Sequence, residues 1–301
     1  GYNSLVANTT GAENTALGYQ AGYTATTANG LTAIGYKAAY GSTGQGTVTA
    51  VGNEAVMTNT DGYYLVGVGG GTLKLNTTGI SNTALGYAAL TSNTTASYNT
   101  AVGHFSLKAN TTGAQSVAVG SFVLQANTTG VNNLAAGYAA GYGNTTGTSN
   151  VALGHSALYN TTTASNNTAS GYSALYANTT GASNTAFGAL AGDALTTGSY
   201  NVAVGMHSLG TSTTADSNVA VGYQTLFSTT TGTANVAMGR DTLYYNTTGA
   251  SNTALGHSAL VANTTASNNT AVGYSALTAN TTGTRNTAVG KSALVANTTG
   301  N

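Results

Sequence analysis

The 301-residue sequence contains no proline, no cysteine and no tryptophan. Without cysteine there is no disulfide scaffold and no thiolate chemistry, and the redox compartment stays open. Without proline the backbone N–H donors run unbroken, as uninterrupted hydrogen-bond ladders require. Charge is scarce too: six basic and six acidic residues make up 4% of the chain, against about 25% in an ordinary soluble domain. Such a chain cannot offer the dense basic face that binds nucleic acid. It is no disordered polyelectrolyte either, because 41% of its residues are apolar. No run approaches the roughly 20 apolar residues that span a bilayer, so membrane insertion is not expected. The chain begins at Gly1 without a signal-peptide pattern, which reads as a processed chain or a segment of a longer one.

What the sequence has instead is a period. Glycine recurs every 17 residues, from Gly1, Gly18 and Gly35 to Gly290, 18 times without an insertion or deletion. Loops between independent elements change length cheaply, whereas stacked coils cannot. Counted from each such glycine, the repeat reads G-[YH]-x-A-L-x-x-N-T-T-[GA]-x-x-N-[TV]-A-[VL], seen cleanly at Gly256–Val272. Two residues before the glycine stands Ala in 16 of 17 repeats, the exception being Gly67; four residues after it stands Leu in 13 of 18. Asn-Thr-Thr-Gly is turn chemistry and cuts any helix after about eight residues, shorter than an average helix. A propeller blade needs about 40 residues and is excluded as well.

The fold class expected is therefore all-β: a parallel β-solenoid, or β-roll, of about 18 coils at about 4.8 Å each, on the order of 80–85 Å long. Residues 1–301 read as a single continuous repeat domain. Each coil is expected to be a flattened loop of two strands and two corners. One coil alone buries too little to hold its shape, so neighbours must ladder onto it. The glycine column marks a corner of positive φ or close backbone approach. The asparagines seven and thirteen residues after it should form amide ladders. The Leu and Val columns beside the corner are expected to face inward. The Ala column, which never grows, is expected to press against another sheet, either of a neighbouring chain around a three-fold axis or of the same chain. Residues 40–75 are the least regular: Gly41-Ser42-Thr43-Gly44-Gln45-Gly46 replaces the usual turn and Val66–Gly71 the usual strand. These read as altered corners within one rod. No capping segment is visible, so a segment of a longer fibre is expected.

Chemistry-bearing residues are few. His104, His155 and His257 occupy the position after the glycine, where Tyr is commonest. Coils apart along one chain, they cannot share a zinc ion, whose ligands lie near 2 Å; they read as polar variants of the Tyr column. Glu13, Glu54, Asp61, Asp193, Asp216 and Asp241 are scattered over different repeat positions. They do not provide the carboxylate pair of a glycosidase. Asp241 beside Arg240 reads as a surface ion pair. No catalytic residue, metal site or cofactor is expected, and the chain does not read as an enzyme.

Two columns suggest sugars. Asn-Thr-Thr, the glycosylation acceptor pattern, occurs at Asn8, Asn76, Asn93, Asn110, Asn127, Asn144, Asn160, Asn178, Asn246, Asn263, Asn280 and Asn297. A favoured turn explains it equally. Tyr2, Tyr19, Tyr36, Tyr87, Tyr138, Tyr172, Tyr223 and Tyr274 could stack on glycan rings, Tyr having an apolar face and a polar tip, or form a half-buried ladder. Rows of Thr raise ice binding, although the Thr pairs stand at the turn beside Asn and Gly.

Asn-Thr-Ala-Val-Gly-Tyr-Ser-Ala-Leu at Asn269–Leu277 resembles the Asn-Ser-Val-Ala-Ile-Gly type repeat of trimeric autotransporter adhesin heads. It looks even more like the repeats upstream of the chaperone domain in phage tail-fibre-like proteins. The resemblance covers the whole chain and implies a homotrimeric extracellular fibre, on a cell surface or a virion, that contacts a receptor or glycan. Two features depart from those patterns: the period is longer than the usual adhesin-head coil, and no coiled-coil stalk, membrane anchor or chaperone domain is present. The functional expectation is a structural fibre shaft with itself as partner. The alternatives are a monomeric solenoid binding ice or polysaccharide, and a self-assembling surface filament.

Overall fold

The computed structural model describes residues 1–44 and 46–301; Gln45, within the irregular turn at 41–46, lies outside the described residues. The chain forms two compact units, Gly1–Ser149 and Asn150–Asn301, built from the same coil. The first carries β1 (Thr15–Leu17), β2 (Leu31–Ile34), β3 (Val48–Val51), β4 (Leu65–Val68), β5 (Thr83–Leu85), β6 (Thr100–Val102), β7 (Val117–Val119) and β8 (Leu134–Ala136). The second carries β9 (Val151–Leu153), β10 (Thr168–Ser170), β11 (Thr185–Phe187), β12 (Val202–Val204), β13 (Val219–Val221), β14 (Val236–Met238), β15 (Thr253–Leu255), β16 (Thr270–Val272) and β17 (Thr287–Val289). Within each unit every strand pairs in parallel with the next one along the chain, offset by one repeat, as in Ala84 opposite Ala101 and Ala169 opposite Ala186. The protein is an all-β parallel β-solenoid with a 17-residue repeat, and no described residue is helical.

Each coil holds one strand, where the sequence suggested two. The Ala-Leu side is a run of turns because the second and fourth residues after the glycine are left-handed, with φ 56° at Ala88 and 50° at Leu90. Extended backbone needs φ near −120°. The hydrogen-bond ladder nonetheless continues through this side. Ala88 N–H donates to Gly70 O of the preceding coil (2.8 Å), and Leu90 N–H to Ser106 O of the following one (3.0 Å). The glycine column combines both properties expected of it. Gly86 has φ +120°, and a Cβ there would lie 2.8 Å from the backbone of Gly103.

The Leu column four residues after the glycine faces inward as the sequence suggested, but the aliphatic column just before the glycine faces outward, and the Ala column packs inside its own coil and against no other sheet. Ala33, Ala84, Ala101 and Ala169 have no exposure at all within their own chain, and neither have Leu90, Leu107, Leu243 and Leu260. The Ala column thus points into the coil, and the Leu four residues after the glycine fills the space opposite. Gly67, the one departure in that column, shows how thin the interior is. A Cβ there would approach Val56 Cγ2 to 2.7 Å and Thr72 Oγ1 to 3.0 Å. The alanines are small because their own coil leaves room for a methyl group and no more, so they form no inter-chain face. Strand neighbours alternate sides, so the residues one and three before the glycine point outward; Leu85 is 46% exposed and Met238 49%.

Both asparagine columns form ladders, each in a different way. Asn93 Nδ2 donates to Asn76 Oδ1 of the preceding coil (2.8 Å) and to Ala96 O of its own turn (3.0 Å). In the second column the acceptor serves the backbone: Asn99 N–H donates to Asn82 Oδ1 (2.9 Å), while Asn99 Nδ2 donates to Gly113 O (2.9 Å). The first Thr of the turn adds a third row, as in Thr77 Oγ1 to Thr94 O (3.1 Å). The core of the coil is therefore Ala against Leu, closed at its corners by hydrogen-bonded amides.

Candidate functional site

The outer strand face is the first candidate surface. Its two columns are Thr or Val three residues before the glycine and an aliphatic residue just before it, including Leu85, Val102 and Val119 in the first unit and Val204, Val221 and Val272 in the second. None of the 12 charged residues of the chain stands in a strand. Parallel sheets are ordinarily covered on both faces. Here the outward face is uncharged, an aliphatic column beside a column of Thr and Val.

The asparagines of the glycosylation pattern are inside. Asn76, Asn93, Asn110, Asn127, Asn144, Asn178, Asn246, Asn263 and Asn280 are buried, their side-chain nitrogens committed to hydrogen bonds such as Asn110 Nδ2 to Asn93 Oδ1 (3.0 Å). A sugar on such a nitrogen would have to leave the coil interior, so the folded coil has no place for it. Asn8, Asn160 and Asn297 are not buried; Asn160 stands one position earlier in its repeat than the others.

The tyrosines of the column after the glycine are all exposed, and their flat faces are turned towards one another. Tyr2, Tyr19 and Tyr36 stack at 5.7 and 5.5 Å between ring centroids. Histidines take rungs of the same ladder: His104 on Tyr87 at 5.7 Å, His155 on Tyr172 at 5.4 Å, His257 on Tyr274 at 5.3 Å. Tyr138 meets Phe122 edge-on at 5.7 Å. Arg240 lies over Tyr223 and Lys291 over Tyr274. Tyr19, stacked on both sides, has no face left for a sugar.

Where the column loses a ring, the ladder opens. Gly70 stands at the aromatic position before Tyr87, and the gap is a cavity of about 330 Å³ bordered by Glu54, Lys74, Tyr87 and Lys108. Lys74 Nζ pairs with Glu54 Oε2 at 2.7 Å. In the second unit a cavity of about 340 Å³ lies against His155, Tyr172, Tyr176, Leu190 and Asp193. Burial pushes the Asp193 carboxyl up from the ordinary aspartate range, opposed by hydrogen bonds from its own and the next backbone amide and by the charge of His207. Its Oδ1 accepts no hydrogen bond.

No family model and no curated protein matches this sequence. The surface geometry therefore carries the functional argument alone. Arg240 Nε and Asp241 Oδ2 form the expected ion pair at 3.0 Å. Among the described residues no group of three His, Asp or Glu side chains could hold a metal ion. Sequence reasoning missed Gly70, Lys74, Lys108 and Ala189. For Gly70 and Ala189 the signal was a small residue in a mostly aromatic column, which a consensus discards; Lys74 and Lys108 gave none.

Proposed function

We propose that the protein is a structural element of an extracellular fibre, a shaft of stacked coils that associates with copies of itself through the outer strand face. The observation that carries this reading is the uncharged strand face with its exposed aliphatic column, as at Leu85, Val119 and Met238, repeated coil after coil. A solitary solenoid would be expected to protect such a face with charge. The role is reach, rigidity and multivalent contact with a surface or receptor, without catalysis. A homotrimer like those of tail fibres and adhesin heads is the association state proposed.

Static light scattering over a range of concentrations tests it. A fixed mass near three times 29.5 kDa is expected, and the paired substitution Leu85→Lys and Val102→Lys should return the single-chain mass with unchanged circular dichroism. A single-chain mass for the native protein at every concentration overturns the reading.

One observation favours a second reading. The strands also place Thr outward, three residues before the glycine, in 10 of 17 coils, giving a flat Thr and Val face separate from the turn threonines. A solitary solenoid with that face would bind ice. Thermal hysteresis in a sample shown to be monomeric supports this alternative, and its absence removes it.

A further inference from the structure

We propose that the opening at Gly70 is a binding subsite for a sugar ring bearing a carboxylate, a hexuronic acid unit of an acidic polysaccharide. The proposal does not depend on self-association, because it rests on the aromatic column and not on the strand face.

Three observations support it. The first is a bare ring face. His104 covers Tyr87 on the following coil, stacked at 5.7 Å, while the preceding coil offers only Gly70. A Cβ at Gly70 would touch the Tyr87 ring at an ordinary 3.5 Å, and one at the next residue, Gly71, would meet nothing nearer than Thr91 Oγ1 at 3.9 Å. Two successive glycines thus remove the rung that covers the equivalent face elsewhere, as Tyr19 does for Tyr36. An aromatic face framed by polar groups accepts the C–H face of a pyranose, and about 330 Å³ lies at the lower end of the range of small-ligand sites.

The second is the sign of the charge. Glu54 neutralises Lys74 at 2.7 Å. Lys108 also borders the opening, its Nζ 4.3 Å from the Phe105 ring centroid. Among the described residues no carboxylate pairs with it. An unneutralised ammonium beside a ring platform selects an anionic ligand, and the sugar carboxylate is the group that meets it.

The third is hydroxyl recognition. The Glu54–Lys74 pair presents an acceptor and a donor side by side at the cavity wall, and Asn53 adds an amide with both functions. Adjacent ring hydroxyls, each donor and acceptor, match that set. Where successive rings stack on each other, as at Tyr2, Tyr19 and Tyr36, the faces are taken, so the ligand would be held at an interruption of the ladder.

Isothermal titration and amide NMR of the full chain with a galacturonic acid trisaccharide and with the neutral galactose trisaccharide test the proposal. The acidic sugar is expected to bind and to shift signals of Tyr87 and Lys108. Gly70→Tyr restores the missing rung, at a position where the backbone is not left-handed, and should weaken binding by at least about tenfold. Lys108→Gln should weaken the acidic sugar by about tenfold and leave the neutral one unchanged. Circular dichroism verifies that both variants keep the coil. Absence of any shift, undiminished binding to Gly70→Tyr, or equal affinity for the neutral sugar would overturn it.

Discussion

Asn110 shows what a single side chain carries in this coil. Its Nδ2 donates to Asn93 Oδ1 and to Gly113 O, and its Oδ1 accepts from Asn127 Nδ2. Asn110→Leu would strand Asn93 Oδ1 and one Asn127 hydrogen in a dry corner, while Gly113 O keeps its bond from Asn99 Nδ2. Each orphaned buried group costs about 1–3 kcal/mol, so a loss of several kcal/mol is expected in urea denaturation. Nature has made the same break at Leu195, and there Asn178 Oδ1, the acceptor one coil before, has no partner. Gly67 tests the width of the interior. Gly67→Ala should cost about 1–3 kcal/mol through overpacking against Val56, and a large part of the loss should return in the Val56→Ala background. Equal losses in both backgrounds would mean that the interior is not the tight slot described.

At the scale of the coil, the unit of tolerance is 17 residues. Removing Gly86–Val102 joins Leu85 to Gly103 and leaves every ladder in register, because Thr83 would then pair with Val117 as it now pairs with Thr100. That deletion should fold with unchanged circular dichroism per residue. Inserting one alanine after Asn99 should not: a one-residue slip in a strand sends its inward Ala out and an outward Val in. Comparable stability of the two variants in urea would contradict a register-locked solenoid. The single strand per coil belongs to this scale too. Left-handed residues two and four after the glycine, including bulky Leu90 and β-branched Val56 at φ 51°, persist because neighbouring coils hold them there. In isolation that conformation costs about 1–2 kcal/mol per residue.

For the whole molecule, charge sets very little. Six positive and six negative residues cancel, so no long-range repulsion keeps copies apart, which suits the self-association proposed above. Asp193 supplies a pH dependence with a definite sign. Its carboxyl is raised above the ordinary 3.8 by burial, so between that value and its folded-state value the native chain binds more protons than the unfolded one. Stability then falls as pH rises through that window and levels off above it. Asp193→Asn should flatten this slope, and its urea midpoint should gain on the native chain from acid towards neutral pH. A native-minus-variant difference that does not change with pH would remove Asp193 as the cause.

Periodicity determined most of the architecture. Eighteen glycines at a constant spacing, turn residues at Asn-Thr-Thr-Gly and the absence of proline suffice for stacked coils, paired asparagines and an aromatic column. An unbroken register has few other physical explanations. Which side of the strand faces inward was beyond the sequence. Ala and Val alternate on a three-residue strand, and both are apolar. Only the packed coil, with Leu90 and its equivalents filling the slot opposite, leaves room for a methyl and turns Val102 and Leu85 outward. The Gly70 opening was likewise invisible to a consensus, because a bare ring face comes from the side chain that a neighbouring coil fails to supply. Sequence repetition specified the coil; the contacts between coils decided which surfaces remain available.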